Sequence, residues 1–210
     1  MAFEANADLD HRKRPRRRGQ ALNAAIFQAT LDELAEHGYA ALTMEGIAER
    51  AHASKASLYR RWQTRLDLVM DAIHQALPDP TSPPDTGSLR GDLLASLRQT
   101  ASLLAGPAGE ALRGVLSEVL SDRTRTMAAR RRSQGTGSKA MREIARRAAA
   151  RGEIDASAIT PRRLEAGHAL LRHHFLFGNG PIADEVIVGI VDEVIVPLLG
   201  ASPSRALEDL

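Results

Sequence analysis

The sequence predicts an all-helical protein, with a small N-terminal head joined to a larger C-terminal helical body. Three observations carry that prediction. Aromatic residues make up only 3% of the 210 residues and cysteine is absent, while alanine, leucine and arginine abound, a mix that favours helix over sheet. Apolar residues recur at helical spacing along most of the chain. The run Pro78-Asp79-Pro80-Thr81-Ser82-Pro83-Pro84 places four prolines where no helix can continue, so it reads as a linker between two units.

Each element follows from local signals. After an arm over residues 1–16, Gln20 to His37 reads as a helix, with Leu22, Ile26, Thr30 and Leu34 at helical spacing and Phe27 and Leu31 widening the apolar face. Gly38 is expected to stop it in a conformation with positive φ, with Tyr39 following as an anchor. Thr43 is the expected N-cap of a short helix that turns Ile47 and Ala48 inward. His52-Ala53 leaves room only for a tight turn. Ser54 caps the next helix, which carries Leu58 inward and ends near Trp62, and Thr64 caps a fourth helix reaching Leu77. The expected head spans residues 17–77 and the linker 78–88. Beyond it, Leu89–Leu104, Pro107–Leu120, Arg123–Arg132, Ser138–Arg151, Pro161–Phe177 and Ile182–Leu199 suit helices, giving a body over 89–202 and a tail over 203–210. Residues 133–137 contain two glycines and read as a break. The last segment holds strand-favouring Val-Ile runs, yet period decides for helix. Asp184, Glu185, Asp192 and Glu193 group on one side at 3.6 residues per turn, and Ile187, Ile190, Val191, Val194 and Ile195 on the other.

Composition excludes several functions. With no cysteine there is no disulfide framework, thiolate metal site or cysteine nucleophile. No apolar run approaches the roughly 20 residues a membrane span needs, and the N-terminus opens on acidic residues rather than a secretory apolar segment. The expectation is a cytoplasmic protein. His168, His173 and His174 lack the i, i+4 spacing of a helical metal pair, so no metal and no cofactor are expected. No phosphate loop, nucleophile elbow or paired-carboxylate pattern points to an enzyme. The net charge is only +2, but its distribution is uneven. Residues 123–151 carry ten basic groups and one acidic group. Met141, Ile144 and Ala148 form an apolar stripe there and Lys139, Arg142 and Arg146 another, as on an amphipathic surface helix.

The segment Thr43–Trp62, helix then tight turn then helix, has the layout of a DNA-reading helix-turn-helix. Gly38-Tyr39, Thr43, Ile47-Ala48, Ala51 and residues 54–62 (Ser-Lys-Ala-Ser-Leu-Tyr-Arg-Arg-Trp) carry a resemblance. The stretch from about Arg17 to Ile73 is similar to the N-terminal domain of the TetR family of transcriptional regulators. Three positions depart from the family pattern. His52 stands where a turn glycine is usual, Gln63-Thr64-Arg65 replaces Pro-Ser-Lys, and Trp62 replaces a common phenylalanine.

The motif assigns roles to side chains. Tyr59 and the Thr43 hydroxyl are expected at phosphates, with Arg65 at a helix start that also favours an anion. Lys55, Ala56 and Ser57 are expected at base edges in the major groove, beside the polar Arg60. The run Arg12–Arg18, ending in Arg18, reads either as an arm that enters the minor groove or touches the backbone or as a disordered, solubilising tail.

The resemblance implies about nine helices, a homodimer, and a ligand-responsive regulator, expected to be a repressor released from a palindromic operator by a small molecule. Leu93, Leu97, Leu104, Leu112, Leu116 and Leu120, with Met141 and Ile144, are the expected apolar lining of an effector cavity, closed by Leu171, His174 and Phe177. The effector is expected to be apolar and neutral or anionic. The expected dimer interface is Leu164, His168, Leu171 and Phe175 on the penultimate helix and Ile187, Ile190, Val191 and Val194 on the last. Two other readings fit the same residues: a constitutive or architectural DNA-binding dimer without a ligand, and a helical enzyme or carrier using the C-terminal cavity.

Overall fold

The computed structural model describes residues 19–119, 136–178 and 180–200, apart from the side chains of 118, 119 and 136–138. The arm with Arg18, Leu120, the helix expected over Arg123–Arg132 and the tail lie outside the described residues. Within them the chain forms nine helices, a single 3₁₀ turn over Ala156–Ala158 and no strand. The head consists of α1 (Gln20–Ala41), α2 (Met44–Arg50), α3 (Lys55–Tyr59) and α4 (Arg65–Ala76). The body consists of α5 (Leu89–Leu104), α6 (Pro107–Val119), α7 (Thr136–Ala150), α8 (Pro161–Phe177) and α9. The last helix begins over Asp184–Gly189, widens to a π-helical stretch over Ile190–Ile195 and ends over Val196–Leu198.

Most helices start where a side-chain oxygen accepts an otherwise orphaned backbone N–H. Thr43 accepts from Gly46, Ser54 from Ser57, Ser88 from Gly91 and Thr160 from Arg163. Thr64 and Asp67 form a reciprocal capping box. Gly38 ends the regular part of α1 with φ 71°, and the chain turns through Tyr39–Ala41 into Leu42. The π-helical stretch is new. Pro197 offers no N–H to the Glu193 carbonyl and its ring crowds that carbonyl, a clash relieved by widening the turn ahead of it. Of the expected break over residues 133–137, Thr136 and Gly137 already belong to α7, and 133–135 lie outside the described residues.

Two apolar clusters hold the molecule. The head cluster contains Ile26, Leu34, Ile47, Leu58 and Leu68, each no more than 2% exposed, and burying each stabilises by about 1.5–3 kcal/mol. This cluster does not end at the proline linker. Ala111 and Val115 of α6 belong to it, so a body helix completes the head's core. The body cluster joins Leu93, Leu97, Met141, Ile144, Leu164, Leu171, Ile187 and Val191.

Charged side chains tie the elements together. Arg50 donates to Glu33 and Glu36 and fastens α2 to α1. Arg90 and Arg98 of α5 grip Asp192 and Asp184 of α9 with paired bonds of 2.7–2.9 Å. Both aspartates are thereby held below the usual carboxylate range. The linker is strapped down as well. Arg147 donates to the Pro83 and Pro84 carbonyls, and buried Asp92 accepts from the Thr86 hydroxyl at 2.8 Å and from Arg151 at 3.2 Å.

His52 is the one described residue other than glycine with positive φ, at 52°. A β-carbon in this region costs about 1–2 kcal/mol, which glycine's greater chain entropy partly offsets. His52→Gly is therefore expected to stabilise by up to about 1 kcal/mol and raise the melting temperature by about 2–4 °C. A thermal melt that drops instead would show that the imidazole makes a compensating contact.

Candidate nucleic-acid interface and effector cavity

The helix-turn-helix is built by local bonds and one buried seam. In the turn, the His52 N–H donates to the Glu49 carbonyl at 3.0 Å and the Ala53 N–H to the Ala48 carbonyl at 2.8 Å. Leu58 is fully buried, and Trp62 packs edge-on against Phe27 at 5.5 Å while its Nε1–H donates to Asp71 at 2.8 Å. Those contacts fix the rotation of α3. One face remains in solvent, carrying Lys55, Ala56, Tyr59 and Arg60. Tyr59 is 47% exposed, an unusual setting for a large aromatic ring and a suitable one for a hydroxyl that meets phosphate. Lys55 pairs with Glu45 at 3.3 Å, and such an exposed pair is worth little and is easily exchanged for another partner. Thr43 accepts from Gly46 at 3.0 Å and leaves its own O–H to donate outward.

Two expected DNA contacts are corrected. Ser57 is 8% exposed and its hydroxyl accepts from Arg61 Nη1 at 2.6 Å, because at i+3 from the capping Ser54 it lies on the inner side of the short helix. Its hydroxyl is turned to Arg61 and away from solvent. Arg65 donates to the carbonyls of Tyr39 at 3.1 Å and Leu42 at 3.0 Å, with its guanidinium 4.4 Å from the centre of the Tyr39 ring. It caps the carbonyl end of α1 instead of waiting for a phosphate. Sequence spacing could not show the role of Arg65, whose partners lie 26 and 23 residues away, whereas the inward turn of Ser57 follows from neighbours three and four residues off.

A cavity of about 220 Å³ lies where head and body meet. α4 and its C-cap contribute Met70, Ile73, His74 and Leu77, the linker Pro78, Pro83 and Pro84, and α5 Ser96, Thr100, Leu103 and Leu104. Leu112 of α6 and Leu164, His168, Leu171 and Phe175 of α8 complete the walls, with Asp79, Gln99, Glu165 and Arg172 also present. The expected lining is largely corrected. Leu104, Leu112 and Leu171 line the space. Leu93, Leu97, Met141 and Ile144 are at most 1% exposed in the body core, because α5 turns that face toward α7 and its adjacent face toward the cavity. Leu116 is half-buried and does not border the cavity. His174 and Phe177 point to solvent, Phe177 being 76% exposed.

The expected dimer stripe is likewise spent inside one protomer. Leu164, Leu171, Phe175, Ile187, Ile190 and Val191 are between 0% and 5% exposed, since α8 and α9 close on each other and on α5. Val194 and His168 are half-buried. The side of α8 that faces outward instead carries Ala169, His173 and Phe177, with Ala166 and Leu170 half-buried beside them, and α9 exposes Pro197 and Leu198.

A helix-turn-helix with an exposed Lys-Tyr-Arg face, resting on a helical body, is an architecture that known proteins share. The family model for bacterial regulatory proteins of the tetR family matches residues 26–72, and the tetracyclin repressor-like C-terminal domain matches 83–194. The chain belongs to the TetR family. An uncharacterized HTH-type transcriptional regulator of Mycobacterium tuberculosis is 32% identical over 177 residues, which is 84% of this chain and 87% of that protein. The DNA-binding transcriptional repressor TetR of Mycobacteroides abscessus is 31% identical over 188 residues, 87% and 96% of the two chains. The crystal structure of a TetR family transcription regulator superposes with a TM-score of 0.70 at 26% identity, covering 87% of this chain and 99% of that one. This TetR-family member is thus a DNA-binding transcriptional regulator and not an enzyme, and regulators of its family bind DNA operators as dimers. Among the described residues, no helix is long and apolar enough to cross a membrane, and no group of three or more His, Asp or Glu is placed to hold a metal.

Proposed function

We propose that this regulator represses transcription from a palindromic operator and leaves it when an apolar effector, neutral or anionic, fills the cavity between head and body. The position of the cavity carries this reading. Met70, Ile73 and His74 of α4 form one wall, and α4 is the helix that joins the DNA-reading motif to the body. A molecule that wedges between α4 and α8 binds one head orientation better than the other, and such differential affinity is what shifts a two-state equilibrium. The outward face of α8 and α9, from Ala166 and Phe177 to Pro197, is the proposed surface on which two protomers pair. Its exposed apolar residues, Ala169, Phe177, Pro197 and Leu198, suit the apolar centre that lasting interfaces have.

Selection from random DNA tests the reading. The expected product is an imperfect palindrome with half-sites about one helical turn or slightly more apart, from which apolar neutral or anionic compounds release the protein. Selection that returns no preferred sequence refutes the operator. Release by cations alone refutes the effector class.

A further inference from the structure

Resting on that proposed effector site, we infer that His168 is its polar anchor and that the cavity takes a neutral, mostly apolar molecule of about one ring bearing a single hydroxyl. His168 sits on α8 one turn from Leu164 and Leu171, on the face that lines the cavity. Its Nδ1 is fully buried and has no hydrogen-bond partner among the described residues. A buried polar atom left in that state is costly, and the cost is removed when a ligand or water supplies the missing partner. Burial, with a smaller push from the Arg172 charge, lowers the imidazole pKa to about 4. The ring is therefore neutral at physiological pH, with one nitrogen a donor and the other an acceptor.

That state selects the ligand group. A hydroxyl both donates and accepts, so it satisfies Nδ1 in either tautomer once the ring turns that nitrogen, closed off as it stands, toward the cavity. A carboxylate would meet the same burial that keeps the ring uncharged. Arg172 and Glu165 are both exposed, so their charges are solvated at the mouth and leave the inner end neutral. Most of the remaining wall is apolar, from Leu103, Leu104, Leu112 and Phe175, with His74, Asp79, Ser96, Gln99 and Thr100 as its other polar members. A cavity of about 150 Å³ already holds benzene, so 220 Å³ admits a substituted ring.

The experiment titrates the purified full-length protein with 4-ethylphenol, ethylbenzene and 4-ethylbenzoate, by calorimetry and by the imidazole resonances of His168. The phenol is expected to bind about tenfold more tightly than ethylbenzene, and to move those resonances. In His168→Leu, which keeps the apolar volume and removes the stranded nitrogen, that preference should vanish while the melting temperature holds or rises. Equal binding of phenol and ethylbenzene by the parent protein overturns the inference without need of any variant. Tighter binding of the benzoate, or no binding of any of the three up to their solubility, overturns it too. A DNA-release assay on the selected operator separates the two readings. Binding through His168 without release upholds the anchor and refutes effector control, whereas phenol-driven release that His168→Leu leaves unchanged upholds effector control and refutes the anchor.

Discussion

Tyr59→Ala combined with Arg60→Ala is expected to lower operator affinity by about a hundredfold or more while leaving the melting temperature within about 2 °C of the parent. Both side chains stand on the exposed face of α3, and neither is part of the head's apolar cluster. Removing them therefore costs the fold little. On a two-fold operator each change acts at both half-sites, so a loss of about 1.4 kcal/mol per half-site multiplies to two factors of ten. If the lost contacts are to phosphates, the dependence of affinity on salt should also flatten by about one unit of slope for each contact removed. Lys55→Ala should instead change which bases are preferred. Arg65→Ala makes the contrast. It withdraws the cap from the Tyr39 and Leu42 carbonyls, so it should lower the melting temperature before any effect on DNA appears. Binding curves at several salt concentrations, read beside thermal melts, check all four. If Arg65→Ala alone weakens DNA binding with the fold intact, the assignment of α3 as the contact face is wrong.

Gly114→Val is expected to destabilise the protein by about 3 kcal/mol, lowering the melting temperature by about 6–12 °C, and to weaken operator binding as well. A β-carbon at position 114 would overlap the Tyr39 Cβ and lie 2.6 Å from its Cγ. Here α6 passes so close to α1 that only a hydrogen fits. Tyr39 cannot simply swing away, because the Arg65 guanidinium is stacked on its ring and bound to its carbonyl. The strain is thus expected to pass into the contact between head and body, where α6 supplies Ala111 and Val115 to the head's core. Gly106→Ala is the control. A β-carbon there meets nothing nearer than the Leu103 carbonyl at 3.6 Å, and the change should be nearly neutral. Equal melts for the two variants would show that α1 and α6 do not pack as described.

What the sequence could determine was whatever depends on residues within a turn or two of each other. Caps act over three residues, so Thr43, Ser54, Thr64 and Thr160 announce their helices, and the 3.6-residue period gave α5 and α8 their full extents. The DNA-reading motif was legible for the same reason, as was the positive φ demanded near Gly38. Tertiary structure decided what each face meets. The leucines of α5 look alike in a periodic pattern, yet Leu97 is sealed in the core and Leu103 borders the cavity, because α7 and α8 arrive on different sides. The apolar stripe of α8 and α9 could have faced a second chain or the first, and the competition for buried area was settled within the protomer by α5. Arg65 and His168 acquire their roles in the same way, the one from carbonyls far back in the chain, the other from walls on five helices and the linker. Hydrogen bonds and burial act over a few ångströms in space, and only folding sets which distant residues come within that range.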